Sequence, residues 1–181
     1  MNKLLYVFLF TCLTFFNLSA QKQQIARQGQ VTFFSYTNVE NIEATNNQAL
    51  SLLDLTNKKI AVSMLMRAFQ FKKDLMYEHF NESYIESDLY PKATFEGDIK
   101  DFNLNEISQT KIINGVLTIH GVSKEIDIKT AITKEGENYT LSGEFSVLVN
   151  DFKIKIPPIL ASNIAKTISI KFKFQYQPYE E

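Results

Sequence analysis

The sequence predicts an all-β fold, an eight-stranded antiparallel β-barrel with a short helical insert. Three observations predict it. Apolar residues recur with period two over most of the chain, the mark of strands that bury one face. Aromatic content is high at 13%, with fifteen Phe, eight Tyr and no Trp, and Phe and Tyr favour a pleated, half-buried surface. Turn residues separate neighbouring strands closely enough for hairpins, and an antiparallel chain of that length removes its open edges by closing into a barrel. A β-sandwich is the alternative arrangement of the same strands.

The N-terminus is read first. Met1-Asn2-Lys3 is a short positive region, Leu4 to Phe16 is almost unbroken apolar sequence, and Asn17-Leu18-Ser19-Ala20 turns small and polar. The apolar run is shorter than the roughly 20 residues a membrane span needs. Residues 1–20 therefore read as a cleaved export signal with Gln21 first in the mature chain, which implies a periplasmic or secreted protein. Cys12, the one cysteine, lies in that run with Phe10 and Thr11 before it, unlike a lipoprotein signal. A mature chain without thiols excludes disulfides, thiol catalysis and cysteine metal sites. Residues 21–181, about 160 in all, suit one domain with a substantial core.

Gln21 to Gln28 read as a polar lead-in. Val31–Tyr36, Ile42–Asn46, Leu50–Leu55 and Ile60–Phe71 read as strands. Ala93, Phe95, Gly97 and Ile99 form an apolar face opposite Thr94, Glu96, Asp98 and Lys100. Lys111–His120 and Lys124–Thr133 follow. Tyr139, Leu141, Gly143, Phe145, Val147 and Val149 make a further face, and Ile168, Ile170, Phe172, Phe174 and Tyr176 make the last. Turn chemistry lies at Thr56-Asn57, at Gly121-Val122-Ser123 and at Lys134-Glu135-Gly136-Glu137; Asn114-Gly115 is either a turn or a bulge. Asp74 to Ser87 departs from period two. There Asp74 is placed to cap a short helix whose Met76, Phe80 and Tyr84 share a face.

With a formal net charge of −1 and interspersed signs, the chain lacks the electrostatic footprint of a nucleic-acid binder. Catalytic signals are equally sparse. His79 lies beside Glu78 and Glu82 but has no partner histidine at metal-ligand spacing. His120 precedes Gly121, where anchoring a hairpin competes with a general-base role. Ser123 and Ser146 have no nucleophile elbow or triad pattern around them, and no glycine-rich phosphate loop is present. Asp98, Asp101 and Glu106 read as solvated outer-face charges. Arg67, just before Phe69 and Phe71, either points to solvent or meets a ligand head group.

Gly115-Val116-Leu117-Thr118-Ile119-His120-Gly121-Val122-Ser123-Lys124 resembles the G-x-L-T-x-H-G-V-[ST]-K stretch of the YceI-like family, polyisoprenoid-binding, lipocalin-like envelope proteins. His79-Phe80-Asn81-Glu82, then Glu86 through Tyr90-Pro91-Lys92-Ala93-Thr94-Phe95, is similar to the family segment ending in Y-P-x-A-x-F. Asp151-Phe152 followed by Ile154 is similar to its D-F-x-I element. Lys153 departs from the Gly that many members carry, and the first strand lacks their frequent Trp or Tyr.

The resemblance implies a barrel with a long hydrophobic pocket for an isoprenoid or other lipid-like small molecule, and no cofactor. Inward alternation together with the resemblance nominates Phe33, Phe69, Phe71, Phe95, Leu117, Ile119, Ile126, Ile128, Phe145 and Phe152 as cavity residues. Gly97 and Gly143 interrupt apolar faces and mark either barrel curvature or cavity space. Leu75, Met76, Phe80, Tyr84 and Ile85 either plug the barrel end or form the lip through which a lipid enters, with brief membrane contact. The competing expectations are a non-catalytic envelope interaction module without bound lipid and an enzyme acting on a bound lipid.

Overall fold

The computed structural model describes residues 23–37, 40–157 and 164–179. The expected export signal and Cys12 lie outside them. In chain order the elements are β1 (Gln23–Ser35), β2 (Ile42–Asp54), β3 (Lys59–Leu65), β4 (Gln70–Phe71), α1 (Asp74–His79), β5 (Lys92–Ile99), β6 (Ser108–Ile119), β7 (Val122–Glu135), β8 (Asn138–Leu148) and β9 (Thr167–Pro178). All strand pairings among them are antiparallel. Around the sheet the order is β1-β9-β8-β7-β6-β5-β3-β2, and β1 pairs with β2 to close it. Closure rules out the sandwich. Two-residue β4 is an adjunct that pairs with Ala44 and Thr45 of β2.

Several expected boundaries move, each for a local reason. β1 begins at Gln23, inside the expected polar lead-in. Its first half hides from a hydropathy reading because buried Gln24, Ala26 and Gly29 are polar or small, and register shifts around Gly29 break the alternation. Two expected strands fuse into β2 through Asn46. That residue is fully buried: its amide donates to the Leu65 carbonyl at 2.9 Å, and its side-chain oxygen accepts from Gln48 N at 2.8 Å. Conversely, Ile60–Phe71 is not one strand. A 3₁₀ turn at Met66–Ala68 interrupts it, with Met66 N bonded to the Pro91 carbonyl, before β4 resumes alongside β2.

Asn114-Gly115 is neither turn nor bulge but lies within β6 in continuous register with β5 and β7. The β6–β7 turn consists of His120 and Gly121, with φ of 52° and 70°, while Val122 already pairs with Ile119. Two positive φ values in a two-residue loop define the type I′ hairpin. The insert starts with Lys73 at the N-cap and no side-chain cap bond, so Asp74 sits in the first turn instead of capping it. A π-helical turn, Phe80–Tyr84, follows α1.

The barrel has two unlike ends. At one end lie the β2–β3, β5–β6 and β7–β8 connections, and there the interior is solid, filled by Leu53, Ile132, Leu141 and Tyr176. Inward glycines make room for rings. A Cβ on Gly29 would stand 2.2 Å from the Phe174 ring, one on Gly115 2.5 Å from Phe95, and one on Gly143 2.8 Å from Phe172. Neither Gly97 nor Gly143 opens cavity space: a Cβ would stand 2.8 Å from the Asn114 carbonyl oxygen at Gly97 and 2.7 Å from that of Lys129 at Gly143, with a Phe ring nearly as close beside each. The insert, the β6–β7 hairpin and the β8–β9 connection gather at the other end.

Candidate functional site

At that second end the barrel encloses a cavity of about 320 Å³. Its walls come from β1 to β9, the insert and the start of the β8–β9 connection. Among the described residues, Ser35, His79, Tyr84 and Thr130 are the polar side chains on the wall, and no carboxylate, lysine or arginine lines it. Alternation explains this selection: inward positions of a barrel strand are every second residue, and here they are Val, Ile, Leu and Phe.

Nine of the ten nominated residues border the cavity: Phe33, Phe69, Phe71, Phe95, Leu117, Ile119, Ile128, Phe145 and Phe152. Ile126 does not. It packs half-buried against the core, paired with Gly115, and the Phe95 ring fills the space over that glycine. Sequence reasoning left out of that set Phe80, Ile168, Ile170 and Phe172, which border the cavity as well. The signal for three of these was the β9 alternation; what it lacked was depth along the barrel. Phe80 stacks on Phe33 with centroids 5.4 Å apart and meets Phe69 and Phe71 at 5.7 and 5.1 Å. The insert's apolar residues divide between the barrel end and its opening. Phe80 and buried Ile85 plug the barrel end, whereas Leu75, 62% exposed, borders the opening.

The polar candidates resolve individually. Arg67 pairs with Asp88 and donates from Nε to Ser87 Oγ at 3.3 Å, and it does not border the cavity. Ser123 Oγ shares a 2.8 Å hydrogen bond with Thr118 Oγ1. Ser146 is exposed on the outer face. His79 lies on the cavity wall, and among the described residues no group of three His, Cys or carboxylate side chains is gathered for a metal. Burial pushes the Tyr84 phenol up. Thr130 is fully buried, and its hydroxyl donates to the Ile128 carbonyl at 3.3 Å.

The segments that carry the family resemblance meet at one point of the rim. His120 Nε2 lies 2.8 Å from a Glu86 carboxylate oxygen, and Nδ1 lies 3.1 Å from the Phe152 carbonyl. The Tyr90 ring rests on His120 at 4.4 Å, and a Cβ on Gly121 would stand 2.6 Å from it. Lys153, where many family members carry Gly, has φ of 56°, a left-handed conformation that glycine adopts without a steric penalty. These motif residues shape the barrel end by joining three connections to one another.

Comparison with known proteins agrees with this architecture. The YceI-like domain model matches residues 16–176. A polyisoprenoid binding domain from Saccharophagus degradans, implicated in plant cell wall breakdown, superposes with a TM-score of 0.75 at 12% identity, over 88% of this chain and 99% of that one. Burkholderia cenocepacia BcnA gives 0.70 at 16% identity, over 82% and 96% of the two chains. The Campylobacter jejuni YceI protein gives 0.63 at 18% identity, over 81% and 90%. No curated protein matches the chain. At such identities the solved structures establish a shared fold. The family match, spanning nearly the whole chain, establishes membership: this protein belongs to the YceI-like domain family.

Proposed function

We propose that the protein binds an apolar lipid-like chain, an isoprenoid or a fatty acyl group, in the barrel cavity, and serves as a non-catalytic carrier or sequestering protein in the periplasm. One observation carries the reading: among the described residues the cavity wall bears no carboxylate, lysine or arginine and very few polar side chains. Water gains little from such a space, whereas a hydrocarbon loses its contact with water on entering it. Each buried methylene contributes roughly 0.8 kcal/mol, so ten contribute about 8 kcal/mol before association and ordering costs. The volume falls at the lower end of the roughly 300–1,000 Å³ typical of ligand pockets. Relatives of the same fold include a polyisoprenoid binding domain, which supports the same class of ligand.

The test is native mass spectrometry of the protein purified from its own host's envelope, followed by organic extraction. A stoichiometric isoprenoid or acyl species is the expected result. A clean unliganded mass that does not shift after addition of isoprenoids and fatty acids overturns the proposal and leaves the interaction-module reading.

A further inference from the structure

The rim of the open end presents large apolar side chains to solvent beside unpaired cations. Tyr36 is 61% and Leu148 48% exposed. Both belong to one arc. Leu148 pairs with Thr167 at the start of β9, Val149 N donates to the Lys166 carbonyl, and Ala165 N donates to Ser35 Oγ, the residue before Tyr36. The ends of β8, β9 and β1 are thereby tied side by side. Exposed Leu75 borders the same opening on the insert. The insert is held to the β1–β2 connection by the Lys73–Glu40 ion pair at 2.6 Å.

Cations decorate this arc. After Phe152 the chain alternates Lys153, Ile154, Lys155 and Ile156. The isoleucines line the cavity while the lysines are exposed. Lys166 is exposed at the start of β9. None of these three lysines pairs with a described carboxylate, so their charge is not neutralised locally. From Val149 to Lys166 the sequence holds three lysines and one acidic residue, Asp151. The insert across the mouth is acidic, with exposed Asp74, Glu78 and Glu82, so the cationic excess is confined to the β8–β9 side of the rim, and it is that side that favours an anionic partner.

We propose that this arc is a docking surface for an anionic phospholipid bilayer, which the protein touches with its cavity mouth facing the membrane. Exposed Leu and Tyr side chains enter the headgroup boundary, as on interfacial helices, while the lysine ammoniums meet lipid phosphates. The arrangement lets a hydrocarbon pass between bilayer and cavity without crossing water. In that respect it rests on the lipid-binding reading above, since a cavity with no lipid cargo would give the docking no purpose.

The experiment is co-sedimentation of the host-exported protein with vesicles of pure phosphatidylglycerol or pure phosphatidylcholine, at low and high salt. Uptake of a soluble fluorescent long-chain probe is measured separately, without vesicles. Sedimentation with phosphatidylglycerol, weakened by salt and at least about tenfold weaker on phosphatidylcholine, is expected. The triple change Lys153→Gln, Lys155→Gln and Lys166→Gln is expected to weaken sedimentation roughly 100-fold, about fivefold per lysine, while leaving probe uptake intact. A matched variant, Lys58→Gln, Lys100→Gln and Lys129→Gln, changes net charge equally at exposed positions away from the arc and is expected to sediment like the unaltered protein. Equal binding to both lipids, no binding, equal loss in both triple variants, or self-association through the arc in the absence of lipid overturns docking. Sedimentation without probe uptake supports docking and counts against the cavity reading alone.

Discussion

His120 and Glu86 face each other at 2.8 Å across the barrel rim, and the imidazole, with only 10% of its side chain exposed, bridges from there to the Phe152 carbonyl. Both partners are acceptors, so a neutral ring can donate to one of them and a cationic ring to both. The contact does mechanical work, because Glu86 ends the insert, His120 occupies the hairpin tip and Phe152 follows β8. His120 also holds φ of 52°, a region in which Asn is tolerated and Ala is strained. His120→Ala should therefore destabilise by about 1–3 kcal/mol, through lost bonds and backbone strain together. His120→Asn should cost less than Ala, because it keeps the conformation and loses only the bridge. Urea unfolding of the two variants checks the order; equal costs would leave the backbone argument without support.

Ser51 and Tyr176 form a polar pair inside the closed end. Ser51 Oγ donates to the Ala61 carbonyl at 3.1 Å and lies 2.6 Å from the Tyr176 hydroxyl, so the phenol donates to the serine. The consequence is an asymmetry. Tyr176→Phe leaves Ser51 with a partner and should cost about 0.5–1.5 kcal/mol, whereas Ser51→Ala strands a buried phenol and should cost about 1–3 kcal/mol. Burial pushes the Tyr176 phenol above its ordinary 10.0, opposed in part by the Ser51 bond. Above that ordinary value the unfolded chain releases the proton while the folded chain keeps it. This contribution is therefore full below about pH 10 and declines by roughly 1.4 kcal/mol per pH unit above it. Tyr176→Phe should flatten the alkaline limb of a stability-versus-pH curve, and an unchanged slope would count against it.

These two pairs also show what a one-dimensional reading delivers. Alternation in β5, β8 and β9 was legible because each strand has one apolar and one wet face, and Gly121 announced the β6–β7 hairpin, although its turn lies one residue earlier than Gly121-Val122-Ser123. Period two reports which face a residue takes but not how deep it sits. Phe172 and Phe174 share a face of β9 and both touch the cavity, yet Tyr176, two residues on, is bonded within the solid end. Ile126 was nominated on the same logic and stops short of the open space. The first half of β1 was invisible because its buried Gln24, Ala26 and Gly29 are polar or small, and Gly29 fits under the Phe174 ring contributed by β9. That relation spans the whole chain and leaves no local trace.

Gly29 and Phe174 give that relation a measurable form. A Cβ on Gly29 would lie 2.2 and 2.3 Å from two ring carbons of Phe174, closer than to any backbone atom. Gly29→Ala should therefore force the ring aside, at about 1–3 kcal/mol for overpacking. Phe174→Ala alone should cost about 3–5 kcal/mol. In the double variant the alanine at position 29 occupies vacated space, so the two costs should fall short of additivity by at least about 1 kcal/mol. Chemical denaturation of the four proteins completes the cycle. Additive costs would mean that the ring does not fill the place of the missing side chain.

The cavity itself is best probed with a charge. Phe145 is half-buried, borders the open space and touches Phe172 with ring centroids 6.3 Å apart. Phe145→Arg should be tolerated by the fold, since the guanidinium can reach solvent through the mouth while its stem stays on the wall. A hydrocarbon entering beside it would desolvate that cation without a partner, at several kcal/mol. Uptake of an apolar probe should then fall by more than about 100-fold, about 2.8 kcal/mol at 1.4 kcal/mol per factor of ten. Ile126→Ala supplies the contrast, because Ile126 packs on the core without bordering the cavity; it should lower stability by about 2 kcal/mol or more while uptake changes little. If Phe145→Arg takes up the probe normally, the hydrocarbon does not pass this stretch of β8. If Ile126→Ala loses uptake as well, the wall that matters extends beyond the space seen here.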